Sequence, residues 1–170
     1  MFEAITAWAT VVMAICTIVS VVVTYRAMQG QVNKMKDALS ADLALKLTHD
    51  LDSETNKKLR GRVSHAILNK INSSEQDDLF DIFEQVGLFV RKGLINVEIA
   101  HSLFFHWINL YWVAGQDRIL AERKAAITLW SDFEYLYKKL LQIEMILDPH
   151  SRFINPSYEL IRKCLEEEEE

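Results

Sequence analysis

Between Glu3 and Arg26 the chain carries no charged side chain: residues 4–25 read AITAWATVVMAICTIVSVVVTY, 22 in all. At the rise of an α-helix such a run spans about 33 Å, close to the hydrocarbon thickness of a bilayer. A secretory signal has a basic start, a shorter apolar segment and a small-residue cleavage site. Here the start is Met1-Phe2-Glu3 and the run closes on Thr24-Tyr25-Arg26. Trp8 and Tyr25 stand about 26 Å apart along a helix, a spacing that sets one amphipathic ring at each headgroup boundary. The reading is a single transmembrane anchor; the alternative is a central helix of a soluble bundle.

Charge orients the anchor. Arg26, Lys34 and Lys36 follow the run, whereas the terminal amine before it is offset by Glu3. The excess of cations places the amino terminus outside and the remainder in the cytoplasm of an inner membrane. The two cysteines, Cys16 within the run and Cys164 near the far end, offer no disulfide framework, which agrees with a reducing compartment.

The formal charge of −5 comes from glutamates 166–170 alone, and the rest of the chain sums to zero. With pI near 5.6 and no basic field, general nucleic-acid binding is not expected. The acidic end itself reads as a solvated or disordered end rather than a binding tail.

Two prolines and five scattered glycines are too few for the turns of a β protein, and apolar residues recur at steps of three and four. The expected fold is all-α: an anchor over 4–25, a juxtamembrane helical stalk over 26–50, a cytoplasmic bundle of about five helices over 51–165, and an acidic tail over 166–170. In the stalk, Val32, Met35, Leu39 and Leu43 make an apolar stripe, softened at Gly30.

Ser53 caps a helix carrying Leu59, Val63, Ala66 and Ile67. Ser73 with Gln76 forms a capping-box pattern ahead of Leu79, Phe83, Val86 and Val90, and Gly93 supplies a left-handed stop. Asn96 caps a helix with Val97, Phe104, Ile108 and Tyr111 on one stripe, making an antiparallel hairpin with its predecessor. The segment LFFHWINLYWV is apolar around most of its circumference, as in a helix packed on several sides. Asp117 opens a helix to about 129. Ser131 with Glu134 is a second capping-box pattern, leading Phe133, Leu136, Leu140, Ile143 and Leu147. Asn155-Pro156 then starts a short helix over 156–166.

This layout, with LFVRKGLINVEIA, WINLYW followed by Arg118 and Arg123, and WSDFEYLYKKL, resembles small bacterial membrane-anchored all-helical proteins grouped as a domain of unknown function. The resemblance covers residues 5–147 and rests on hydrophobic patterns. It implies a bacterial single-anchor helical protein and brings no active-site residues.

Catalytic chemistry is thin. Glu98 and His101 form one Glu-x-x-His, but a di-iron bundle needs a second such pair and two further glutamates, so His101 reads as a hydrogen-bonded core residue. His106, flanked by Phe105 and Trp107, reads as structural; His49, His65 and His150 lack zinc-ligand spacing, Cys164 lacks a local base, and no phosphate loop or nucleophile elbow occurs. No enzyme activity, metal or other cofactor is expected.

Two features invite binding instead. Lys57, Lys58, Arg60 and Arg62 form a basic cluster suited to anionic lipid or a phosphate, or are an ordinary solvated face. Ala7, Thr10, Ala14, Thr17, Val21 and Thr24 place small and hydroxyl-bearing side chains on one anchor face, a candidate self-association seam; Thr bonding back to its own helix is the alternative. The functional expectation is a membrane-tethered interaction or scaffold module, with the bilayer, a protein at the membrane and further copies of itself as partners. A ligand-responsive membrane effector, for example in phage defence, is the alternative.

Overall fold

The computed structural model describes residues 2–169, and for residues 2–12 and 14–16 the description covers the helical backbone alone. Its elements are α1 (Phe2–Leu51), α2 (Glu54–Leu68), α3 (Glu75–Arg91), α4 (Val97–Ala114), α5 (Gln116–Glu122), α6 (Ser131–Leu147) and α7 (Tyr158–Glu169), with no strand among the described residues. The fold is all-α, as its apolar periodicity requires. The chain divides into two units, Met1–Ala38 and Leu39–Glu170.

In the first unit Gly30 does not interrupt the helix. Thr17 Oγ1 donates to Met13 O at 2.8 Å, and Gln29 Nε2 to the Tyr25 hydroxyl at 3.1 Å. Ile18, Val19, Val21, Val22 and Val23 are all exposed, as are Val32 and Met35 of the expected stalk stripe. Among the described residues no helix is long and apolar enough to cross a membrane. Of the run over 4–25, the side chains of residues 4–12 and 14–16 lie outside the described residues; Trp8, Ala7, Thr10 and Ala14 are among them.

The second unit begins with the last turns of α1, which bury Ser40, Ala44 and Leu51 and leave Leu39 exposed. Leu43 of the expected stripe is half-buried against the core, and the packed face is centred one residue beyond that stripe. The cause is polar: Ser40 Oγ accepts the Asn96 N–H at 2.6 Å, fixing this face against the start of α4.

Several helix ends follow the sequence. The Ser53 hydroxyl accepts from Asn56 N–H at 3.3 Å, Asn96 Oδ1 accepts from Glu98 N–H at 2.7 Å, and Gly93 takes the left-handed φ of 67°. Others do not. Helix α3 starts after Ser74, and the Gln76 amide donates to Ile71 O at 3.2 Å instead of closing a box with Ser73. Helix α5 stops at Glu122, well short of 129, because Arg123 turns its guanidinium onto Leu129 O and Trp130 O at 2.8 and 3.0 Å. Ser131 does not cap α6: Trp130 occupies the cap position at φ 52° without a capping side-chain bond, and the free Phe133 N–H is taken by Glu84 Oε2 of α3 at 2.6 Å. Helix α7 begins beyond Pro156, with the Ser157 hydroxyl accepting from Leu160 N–H at 3.2 Å. It runs on to Glu169, so the expected solvated tail is helical over its described length.

The core lies where α6 crosses α3 and α4. Phe133 is fully buried, with ring centroids 5.7 Å from Phe80, 5.2 Å from Phe83 and 5.0 Å, edge-on, from Trp112. Offset and edge-to-face aromatic pairs of this kind add about 0.5–1.5 kcal/mol each beyond their burial. Gly87 lets the backbones of α3 and α6 approach: a Cβ there would run into Asp132 O and sit 3.1 Å from Phe133 N. The α4 segment expected to pack on several sides does so, burying Phe104, Phe105, Ile108, Asn109, Leu110, Tyr111 and Trp112.

Candidate functional site

The basic cluster lies along α2, and α7 packs against that helix. Gly61 allows the close approach, since a Cβ at that position would meet Glu168 O at 3.2 Å. The carboxyl-terminal turn of α7 is thereby laid beside the cations. Arg60 is buried, its side chain 6% exposed, and its Nε donates to Glu168 Oε2 at 2.7 Å. The other oxygen of the same carboxylate accepts from Trp107 Nε1 of α4 at 3.1 Å. Arg60 Nη1 donates to Leu51 O, the last carbonyl of α1, and its guanidinium lies 4.8 Å over the Trp107 ring. A buried guanidinium is tolerated only when its charge and its donors are met this fully.

The rest of the cluster is arranged differently. Arg62 pairs with Glu75 at 2.6 Å, and His65 Nδ1 lies 2.8 Å from Glu169 Oε1. Lys57 and Lys58 are exposed and form no ion pair with a described residue. Together these side chains and Glu167 to Glu169 line a cleft of about 700 Å³. The four residues of the cluster are therefore not one solvated face: Arg60 is committed inward, Arg62 to α3, and only the two lysines are free among the described residues.

Behind the cleft, Tyr111 OH lies 3.0 Å from Ser64 Oγ, both fully buried. Burial pushes the Tyr111 phenol well above its ordinary range, Glu168 adds to this, and Ser64 and Arg60 oppose it. A second cleft, of about 680 Å³, lies between the end of α2, α5 and α7. Two of its cations are matched: Arg118 grips Asp77 at 2.8 and 2.7 Å, a bond that raises its pKa, and Arg162 pairs with Glu166 at 2.9 Å; Lys70, exposed just past α2, forms no ion pair with a described residue.

His101 is the hydrogen-bonded histidine expected, though its partner is Glu144 of α6 at 2.9 Å and its ring stacks on Phe105. Glu98, one turn away in sequence, stays exposed. No group of acidic, histidine and cysteine side chains among the described residues is arranged to hold a metal. Burial, then Glu167, pushes the Cys164 thiol up, the opposite of an activated nucleophile. On the candidate seam, Thr17, Val21 and Thr24 are exposed, while Ala7, Thr10 and Ala14 fall outside the described side chains.

Sequence reasoning missed Glu168, Glu169 and Trp107. A signal was present: Ile161, Cys164, Leu165 and Glu168 follow i, i+3, i+4 and i+7, and the first three are buried, so Glu168 shares their face. Comparison with known proteins found no matching family model, no matching curated protein and no matching solved structure.

Proposed function

We propose that the chain is a membrane-tethered helical interaction or scaffold module, related to the small bacterial anchored proteins it resembles. In this reading residues 4–25 cross the inner membrane once and Leu39–Glu170 faces the cytoplasm. The observation that carries it is the exposure of Ile18, Val19, Val21, Val22 and Val23, all in a row but for Ser20. These aliphatic groups cover all but one side of the helix, the side on which Thr17, Ser20 and Thr24 lie at i, i+3 and i+7. Each aliphatic group is about half to two-thirds exposed and would gain roughly 1–2 kcal/mol on transfer to an apolar phase. Anchor contacts along Ala7, Thr10, Ala14, Thr17, Val21 and Thr24 make the module a homo-oligomer, and the bundle presents a protein partner with its surface.

Alkaline carbonate extraction tests the tether: the full chain should stay in the membrane pellet, and recovery in the supernatant refutes it. Orientation needs an exposed reporter, since Cys164 is buried. Lys124→Cys, at an exposed position, should react with an impermeant maleimide only after the cells are opened.

One observation favours the second reading, a ligand-responsive membrane effector. The cleft between α2 and α7 sets cations against carboxylates supplied by the chain itself, an arrangement in which an external anion can compete.

A further inference from the structure

The geometry points to a binding site on α2 for a phosphate-bearing anion, held shut by the chain's own Glu168. Arg60 Nε and Trp107 Nε1, from different helices, each donate to a different oxygen of that one carboxylate, at 2.7 and 3.1 Å. Convergent donors on a single oxyanion, one a guanidinium, form a receptor that a phosphate oxygen fits equally well. The receptor does not depend on its present occupant for its shape. Arg60 is also tied to Leu51 O and stacked on Trp107, so it keeps its aim when the carboxylate leaves.

The charge around the receptor exceeds what one carboxylate needs. Lys57, Lys58, Arg60 and Arg62 line the cleft against Glu54 and the three glutamates Glu167, Glu168 and Glu169. With the last turn of α7 withdrawn, these four cations face Glu54, Asp52, which lies 4.0 Å from Arg60, and the Glu75 that pairs with Arg62, so positive charge is left over. Arg62 is shared with Glu75, but its side chain is 53% exposed, so that pair is weak and exchangeable. Lys57 and Lys58, without a described ion-pair partner, stand ready for a ligand with more charge than Glu168 brings.

The occupant is also a poor one by position. Carboxylates at the end of a helix face the negative pole of its dipole, and successive glutamates repel one another. Helix α7 has only acidic side chains in its last turn. The final turn is thus the part of the helix that yields first, and a phosphate carries greater charge and a third oxygen for the lysines. Binding and undocking of residues 165–169 are then one equilibrium, in which affinity is reduced by the fraction of time the turn is docked. The inference goes beyond the tether reading and holds whether or not residues 4–25 span a bilayer.

The test uses the full chain in neutral detergent, with inorganic pyrophosphate as probe and calorimetry and hydrogen exchange as readouts. The expected result is saturable binding with loss of amide protection over 165–169. Glu168→Gln should tighten binding about tenfold, and Lys57→Gln with Lys58→Gln, both at exposed positions, should weaken it about tenfold at unchanged Tm. Reconstitution into phosphatidylcholine bilayers with and without phosphatidylglycerol separates the sources. Loss of protection with phosphatidylglycerol alone assigns a lipid headgroup; loss only on adding pyrophosphate assigns a soluble phosphate. Unchanged protection in every condition, or pyrophosphate binding indifferent to both lysines, overturns the site. Failure of the carbonate test leaves these readouts intact, so the two ideas fail separately.

Discussion

Tyr111 places a phenol where water does not reach, 3.0 Å from Ser64 Oγ and 3.4 Å from Arg60 O. Burial raises its pKa above that of a tyrosine in the unfolded chain, near 10. The folded state therefore holds the proton to higher pH than the unfolded state. The resulting stability is whole below pH about 10 and is lost as pH rises beyond it. Tyr111→Phe should lose about 1–2 kcal/mol at neutral pH, because Ser64 forfeits its partner, yet its Tm should fall less steeply between about pH 10 and 11.5 than that of the unsubstituted chain. Parallel Tm profiles would show that Tyr111 does not carry the alkaline loss. Gly87 sets a different constraint, one of space alone. A methyl group there meets backbone of Asp132 and Phe133, which cannot rotate aside, so Gly87→Ala should cost about 2–3 kcal/mol or more in urea unfolding despite its better helix propensity. Gly30 has open space around it, and Gly30→Ala should be neutral or slightly stabilising by the same measurement.

The link between α5 and α6 is held by the buried Trp130, whose indole donates to Asp81 at 2.8 Å, and by Arg123. Arg123 donates to Leu129 O, Trp130 O and Glu134 Oε2 at 2.8, 3.0 and 2.6 Å and lies 5.7 Å over the Trp112 ring. Lysine has neither the planar fork nor the reach to satisfy all three acceptors. Arg123→Lys should therefore lose about 1–3 kcal/mol, measured by urea unfolding, although the charge is kept. A loss no larger than that of an exposed control such as Lys124→Arg would refute the clamp. The same link marks where the sequence stopped being legible. Helices α2 and α4 are readable because an N-cap and a repeating apolar face agree with their tertiary roles, and α3 and α6 because of the apolar face; Ser53, Asn96 and Gly93 act as their types suggest. Ser131 with Glu134 carries an equally good local pattern and is overruled, since Glu84 of α3 supplies the cap and Arg123 claims Glu134. Leu147 continues the α6 stripe by periodicity but is 68% exposed, because the helix outlasts the elements it packs on. The candidate site was legible in half. Its cations are adjacent in sequence, but Glu168 lies 108 residues from Arg60, and no local pattern encodes such a pairing.

At the scale of the whole molecule, the proposed association through residues 4–25 depends on what its small residues have left to offer. Between helices in lipid there is no hydrophobic drive, so close packing across small side chains and interhelical hydroxyl bonds remain, the latter averaging about 0.6 kcal/mol each. Thr17 has already spent its hydroxyl on Met13 O at 2.8 Å within its own helix. Its donor is therefore not free to bridge two chains, and the proposed seam would have to hold by backbone approach at its small positions. This separates two substitutions that a hydroxyl-bonded seam would treat the other way round. Ala14→Leu should weaken the oligomer strongly, because it holds the backbones apart. Thr17→Val, which keeps the shape and removes only the hydroxyl, should leave association within about 0.5 kcal/mol of the unsubstituted chain in detergent-dilution measurements. Cysteine cross-linking scanned over 7–24, in a background with Cys16 replaced, should peak at Ala7, Thr10, Ala14, Thr17, Val21 and Thr24. Any contribution beyond the membrane should fade after Ala38, since the next position on that spacing is Asp42, whose charge is already paired with Lys46 at 2.7 Å. Uniform cross-linking, or a monomer that persists in mild detergent at high concentration, removes the seam. A larger loss from Thr17→Val than from Ala14→Leu would mean that the hydroxyl exchanges its intrahelical acceptor for one on the neighbouring chain.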